Sequence, residues 1–169
     1  MERLITPIKI TLVLICLMMV SEGKAQYLKR KAKTLPLLNY VTLDENTFDN
    51  KKLKEKQNLL LMYFDPTCEI CHNEIMQIMN NLEELEETEI ILISPHPKTE
   101  IEKFAEKFQL QEKKQVVILM DREGNFPKQF KAETFPAIFL YNTDRILVGD
   151  FDSYADFNEI KAEFNQNFR

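Results

Sequence analysis

Cys68 and Cys71 are separated by two residues, with Glu69 between them and His72 and Glu74 just beyond. A Cys-x-x-Cys pair can cycle between dithiol and disulfide, supply two thiolates to a metal, or form a structural bridge. A bridge between residues three apart closes a very small loop, and the entropic gain from cross-linking grows with loop length. Stability is therefore a weak reason for this pair. A structural zinc site takes four ligands, and the only histidines are His72 and His96. His72 adjoins Cys71 and competes for the same geometry, so no metal is expected. Redox cycling is the chemistry this spacing serves best.

The elements around the pair strengthen that reading. Leu59 to Phe64 is an unbroken apolar run of strand length, the mark of a strand buried on both faces. A helix follows, with Ile75, Ile78, Met79, Leu82 and Leu85 at three-to-four spacing and Glu83, Glu84, Glu86 and Glu87 on its other side. Pro66 stiffens the short handover between the two. Cys68 then falls at or next to the helix N-cap and Cys71 one turn inside. Free N–H groups and the positive end of the helix dipole favour a thiolate there. The geometry makes Cys68 the nucleophile and Cys71 the resolving residue.

Further strands are expected at 40–43 and 47–48, joined by a turn, and at 89–94, 116–120 and 137–141. The last of these forms a hairpin with 145–150. Helices are expected at 98–109, opened by a capping-box pattern at Thr99 to Glu102, and briefly after the 121–125 turn through Phe130. A final helix buries Tyr154, Phe157, Ile160 and Phe164, with Ser153 and Asp156 as a cap signal. Strands alternating with helices predict an α/β fold, a central mixed sheet flanked by helices.

The first 25 residues read as a cleavable secretory signal. A basic start leads into an apolar run from Ile10 to Val20, followed by small residues at Gly23 and Ala25. Its 11 residues fall short of the about 20 that a spanning helix needs; an uncleaved anchor is the alternative. Cys16 sits inside this run as an apolar residue. Residues 26–34 form a basic, weakly patterned, mobile lead-in, and 35–169 one domain. The chain of 169 residues carries a net charge of −5. No basic stripe suggests nucleic acid, and 3 glycines leave no phosphate-cradling loop.

The segment Phe64-Asp65-Pro66-Thr67-Cys68-Glu69-Ile70-Cys71 before a helix resembles the active-site segment of the thioredoxin-like superfamily. Thr134-Phe135-Pro136-Ala137-Ile138 resembles its second signature, a proline opening a late strand. The resemblance implies that Pro136 is cis and faces the cysteine pair, with Thr134, Phe135 and Thr67 contacting substrate. On its own, a proline before an apolar run is a plain strand start. The closest likeness is to exported TlpA/ResA-like reductases, through the N-terminal hairpin at 35–49, the extra helix at 98–109 and a Cys-x-x-Cys-x-x-Glu pattern ending at Glu74. In that pattern the glutamate lies near the cysteines. The alternative for Glu74 is a solvent-facing first-turn residue that favours the helix dipole.

Three positions depart from the family: Thr67 replaces the usual Trp, Met62 the buried Asp of thioredoxin, and Ile70 the Pro between the cysteines. These departures leave Glu74 as the carboxylate available for proton handling. Glu69 beside the nucleophile disfavours a very stable thiolate, which points to a reductase rather than a strong oxidant. The resulting expectation is an exported, periplasmic-type protein-disulfide reductase. It acts as a monomer without cofactor, on a disulfide-bearing protein substrate, with an upstream thiol electron donor in solution or in the membrane. A binding module on the same fold, an isomerase or oxidase, and a peroxidase are the alternatives. The Pro-x-x-x-Thr-x-x-Cys spacing of peroxiredoxins is absent.

Overall fold

The computed structural model describes residues 34–166. The expected signal and residues 26–33 of the lead-in lie outside the described residues. Thr34, placed in the lead-in by sequence, forms an antiparallel bridge to Ile146, and the Leu35 N–H donates to Arg145 O at 2.9 Å. Thr34 therefore belongs with the sheet rather than with the lead-in. Among the described residues no helix is long and apolar enough to cross a membrane.

Seven strands form one mixed sheet: β1 (Asn39–Thr42), β2 (Thr47–Asp49), β3 (Asn58–Tyr63), β4 (Thr88–Ser94), β5 (Val116–Met120), β6 (Ala137–Tyr141) and β7 (Leu147–Asp152). Their spatial order is β2-β1-β5-β4-β3-β6-β7. β3, β4 and β5 run parallel, and the hairpins β1–β2 and β6–β7 are added antiparallel at either side. Every residue of β3 and β4 is buried, as continuous apolar runs require when helices cover both faces.

Side chains alternate across the sheet. Leu60, Met62, Ile90, Leu92, Ile138 and Leu140 point to one face. That face is covered by α1 (Glu69–Asn80), α2 (Lys98–Lys107) and α4 (Phe157–Gln166). Leu59, Leu61, Tyr63, Ile91, Ile93 and Phe139 point to the other, beneath α3 (Phe126–Phe130) and the Tyr40 and Phe48 side chains of the hairpin. Each fully buried aliphatic or aromatic side chain contributes about 1.5–3 kcal/mol. Both faces therefore clamp β3, the strand that leads into the cysteines.

The α/β architecture matches expectation, and several local readings need correction. The first helix stops at Asn80 and does not run on through Leu85; Asn81 ends it, its side-chain amide donating to Gln77 O at 2.8 Å, and Leu82–Leu85 form a separate 3-10 turn. An asparagine that bonds its own backbone competes with helix continuation. The Thr99 capping box is not used. α2 starts at Lys98, and the Pro97 carbonyl accepts from the Glu100 and Ile101 N–H groups. Pro95 and Pro97 hold the entry extended, so the helix begins before Thr99. β7 starts at Leu147 rather than Arg145, because Asn142 Oδ1 accepts from the N–H groups of Asp144 and Ile146 and Arg145 takes a left-handed φ of 61°. Tyr154 is 51% exposed instead of buried; Asp156 caps α4 through the Asn158 N–H, and Ala155 takes the inward position.

Candidate active site

β3 continues past Tyr63 by one more sheet bond, from the Phe64 N–H to Ile93 O at 3.0 Å. The chain then turns. Asp65 Oδ1 accepts from both the N–H and the hydroxyl of Thr67, each at 2.7 Å. This Asx turn closes the handover that the sequence places around Pro66. Partial burial works against the Asp65 carboxylate, but the two Thr67 bonds and His96 outweigh it and hold its pKa below the ordinary value. His96, in the loop after β4, lies with Nε2 3.3 Å from Asp65 Oδ2 and Nδ1 3.1 Å from Glu100 Oε2. Parallel pairing of β3 with β4 brings these two loops to the same sheet edge.

Cys68 is the N-cap of α1. Its backbone is extended (φ −77°, ψ 119°), and its Sγ accepts from the Cys71 N–H at 3.3 Å. An N-cap group that accepts such a bond satisfies one of the helix's orphan donors. In the thiol form, Sγ also points at Phe135 O, 3.9 Å away. Cys68 is partly buried, whereas Cys71 is fully buried, and both are reduced. Burial pushes the Cys71 thiol well above the ordinary thiol range. The Asp65 N–H opposes this, while Cys68 and the Asp65 charge add to it.

The Phe135 carbonyl that faces Cys68 precedes Pro136. Their peptide bond is cis, Pro136 is buried at the start of β6, and the Phe135 ring stacks on Tyr63 with centroids 4.9 Å apart. Thr67 and Thr134 are exposed beside Cys68 and Phe135 respectively.

Glu74 is completely buried, so the reading of a solvent-facing first-turn residue is overturned. One carboxylate oxygen accepts from the Ala155 N–H at 3.1 Å, and the other has no hydrogen-bond partner. Burial raises its pKa to about 7; the Ala155 bond works against the shift and the Asp156 charge with it. The contacts of Glu74 therefore run to the loop between β7 and α4, on the inward side of α1.

Sequence reasoning missed Asp65 and the anchoring of His72. An Asx-type spacing at Asp65-x-Thr67 was the available signal for the first. His72 Nε2 lies 2.7 Å from Pro66 O and Nδ1 lies 3.2 Å from Lys107 Nζ; no local pattern announces contacts that depend on α2. Among the described residues no group of acidic, histidine and cysteine side chains could hold a metal ion.

Residues 29–149 match the family described as AhpC/TSA. No curated protein sequence matches the chain. The fold is similar to a secreted Mycobacterium tuberculosis disulfide oxidoreductase homologous to E. coli DsbE, at TM-score 0.63 and 17% identity over 75% of this chain and 92% of that one. It is also similar to StoA from Bacillus subtilis, at TM-score 0.59 and 14% identity over 78% and 98%. The peroxidoxin BcpB from Mycobacterium tuberculosis aligns at TM-score 0.69 and 15% identity over 82% and 98%. These likenesses establish a thioredoxin-like fold.

Proposed function

The chain belongs to the AhpC/TSA family, and on that premise we propose that it is an exported thiol-disulfide oxidoreductase that reduces protein disulfides through Cys68 and Cys71. One observation carries the reading: an accessible sulfur at a helix N-cap, facing a backbone carbonyl, with a second thiol buried directly behind it.

The Cys68 thiolate attacks one sulfur of the substrate disulfide. A mixed disulfide forms, and the other substrate sulfur leaves as a thiolate that takes up a proton. The Phe135 carbonyl offers an acceptor to the backbone of an extended substrate. Cys71 then loses its proton and attacks the Cys68 sulfur, releasing the second substrate thiol. Two electrons have passed to the substrate, and Cys68–Cys71 is left as a disulfide for an upstream thiol donor, in solution or in the membrane, to reduce. Glu74, protonatable near neutrality and one turn from Cys71, is the carboxylate offered for proton handling on the buried side.

The reducing direction is supported by Glu69: strong oxidants owe their potential to a stabilised thiolate form, and a carboxylate next to the nucleophile works against that stabilisation. Export is supported by the signal-like N-terminal sequence and by a structural neighbour described as secreted.

Insulin reduction tests the proposal. The native dithiol is expected to precipitate the insulin B chain, and Cys68→Ser to abolish this. Cys71→Ser should accumulate mixed disulfides with its substrates. Equilibration with glutathione should return a potential near that of thioredoxin; a strongly oxidising value would overturn the reductase assignment in favour of an oxidase or isomerase. Peroxide consumption without insulin reduction would favour a peroxidase.

A further inference from the structure

A cleft of about 220 Å³ opens one residue from the nucleophile. Pro66, Thr67, His72, Phe104, Lys103 and Lys107 line it. Its floor is aromatic: His72 packs on Phe104 at 5.4 Å, and Phe104 on Phe108 at 4.8 Å. Its wall is cationic: Lys103 and Lys107 stand one turn apart on α2. Among the described residues, neither ammonium lies in an ion pair, although the neighbouring Lys98 on the same helix is paired with Glu102. Like charges one turn apart destabilise a helix, so this pair needs a reason.

Lys107 is also held in an unusual way. A carbonyl can only accept, so the 2.7 Å contact with Pro66 O makes His72 Nε2 the protonated nitrogen. Nδ1 then carries a lone pair and accepts from Lys107 Nζ at 3.2 Å. A neutral imidazole thus positions the ammonium without neutralising it. Glu100 also borders the cleft, but its carboxylate is turned to His96 Nδ1 at 3.1 Å. The outcome is an excess of positive charge in the cleft, two ammonium groups against the Glu100 carboxylate, in a protein whose net charge is −5.

We infer that this cleft is an anion subsite that takes a carboxylate carried by the disulfide substrate, next to its scissile bond. The inference rests on the reading of Cys68 as a disulfide-attacking nucleophile and names the substrate class. Carboxylates of this kind come from an acidic side chain flanking a cysteine or from a small peptidic disulfide such as oxidised glutathione.

The first measurement needs only an accessible thiol, so it stands whether or not the protein reduces protein disulfides. Reduced protein is reacted with the dianionic reagent dithiobis-nitrobenzoate and with neutral dithiodipyridine; in each case Cys68 takes one half of the reagent while the other half leaves as a coloured thiol, and Cys71 then displaces the bound half as a second coloured thiol, leaving a Cys68–Cys71 disulfide. Relative to free glutathione thiol, the native protein should prefer the anionic reagent by roughly three- to tenfold, the size of one or two exposed ion pairs. The preference should shrink at high salt, fall partly in Lys103→Gln, and disappear in Lys103→Gln/Lys107→Gln. Charge reversal to Glu at both positions should invert it. A native preference no larger than that of free thiol, or one that survives the double substitution, would overturn the subsite.

Competition between oxidised glutathione, an acidic peptide disulfide and a neutral peptide disulfide identifies the source. Preference for the acidic peptide over the neutral one assigns a polypeptide substrate, and preference for glutathione disulfide over both peptides assigns a small one. Equal rates for all three overturn the subsite while leaving the reductase reading intact.

Discussion

The first two turns of α1 have two very different flanks. The outer flank carries Cys68, Thr67, His72 and the Lys103 and Lys107 cleft, and it opens to solvent. The inner flank carries Cys71, Glu74 and Ile75, all fully buried on the side of the sheet and α4. Both derive from one helical period, yet they serve opposite needs. In the proposed function the nucleophile must meet a substrate disulfide and hold a thiolate, so it benefits from the exposed N-terminus. A resolving thiol must act only after a mixed disulfide has formed, and burial keeps other oxidants from reaching it first. Helical spacing of three separates these demands while the sulfurs remain neighbours.

Packing gives the sharpest contrast. Ile75→Ala removes a completely buried side chain and is expected to destabilise the protein by about 2–5 kcal/mol. Ile70→Ala, at a position 45% exposed, should shift stability by no more than about 0.5 kcal/mol. Urea unfolding of both variants measures the difference; equal effects would mean that the flanks are not distinct.

Reactivity follows. In the native, reduced protein, iodoacetamide should label Cys68 at least about a hundredfold faster than Cys71, because only thiolates react and Cys71 is both buried and pushed toward its thiol form. Mass spectrometry of a labelling time course reads this ratio directly. The selectivity should collapse in denaturant.

The smallest effect belongs to Glu74 and carries a definite pH signature. Its folded-state pKa of about 7 lies above the ordinary 4.5. The folded state therefore binds this proton more tightly than the unfolded chain. The contribution is fully present below about pH 4.5 and is lost as pH rises through about 7. Glu74→Gln keeps an acceptor for the Ala155 N–H and cannot ionise. Relative to the native protein, it should gain on the order of 1–2 kcal/mol near pH 8 and nothing at about pH 4. Denaturant midpoints across that range check the sign, and a gain that does not depend on pH would place the carboxylate elsewhere.

Sequence made the central features legible where the signal was local or strongly periodic. The runs of β3, β4 and β6 are strongly apolar, and burial on two faces leaves little alternative. The site at Cys68 could be placed because strand end, Pro66 and cysteine pair converge within a few residues. Features set by distant partners were not legible. Glu74 looks like an ordinary first-turn acid until β7 and α4 close over it and Ala155 supplies the donor. His72 reads as a possible ligand until α2 brings Lys107 to its free nitrogen. The end of α1 is hidden in the sequence because an apolar stripe continues through Leu82 and Leu85 after Asn81 has already turned the backbone out of the helix.

The aromatic stack beneath the site has a spectroscopic consequence. Phe135 lies on Tyr63, Tyr63 lies on Phe126 at 4.5 Å, and Phe126 lies on Phe130 at 4.2 Å. The chain contains no tryptophan. In the dithiol form its near-ultraviolet circular dichroism therefore comes from tyrosine and phenylalanine, and Tyr63 is the chromophore stacked on the ring whose carbonyl faces Cys68. A substrate that docks on Phe135 will perturb the tyrosine band with no indole signal to mask it, so the protein carries its own optical report of occupancy.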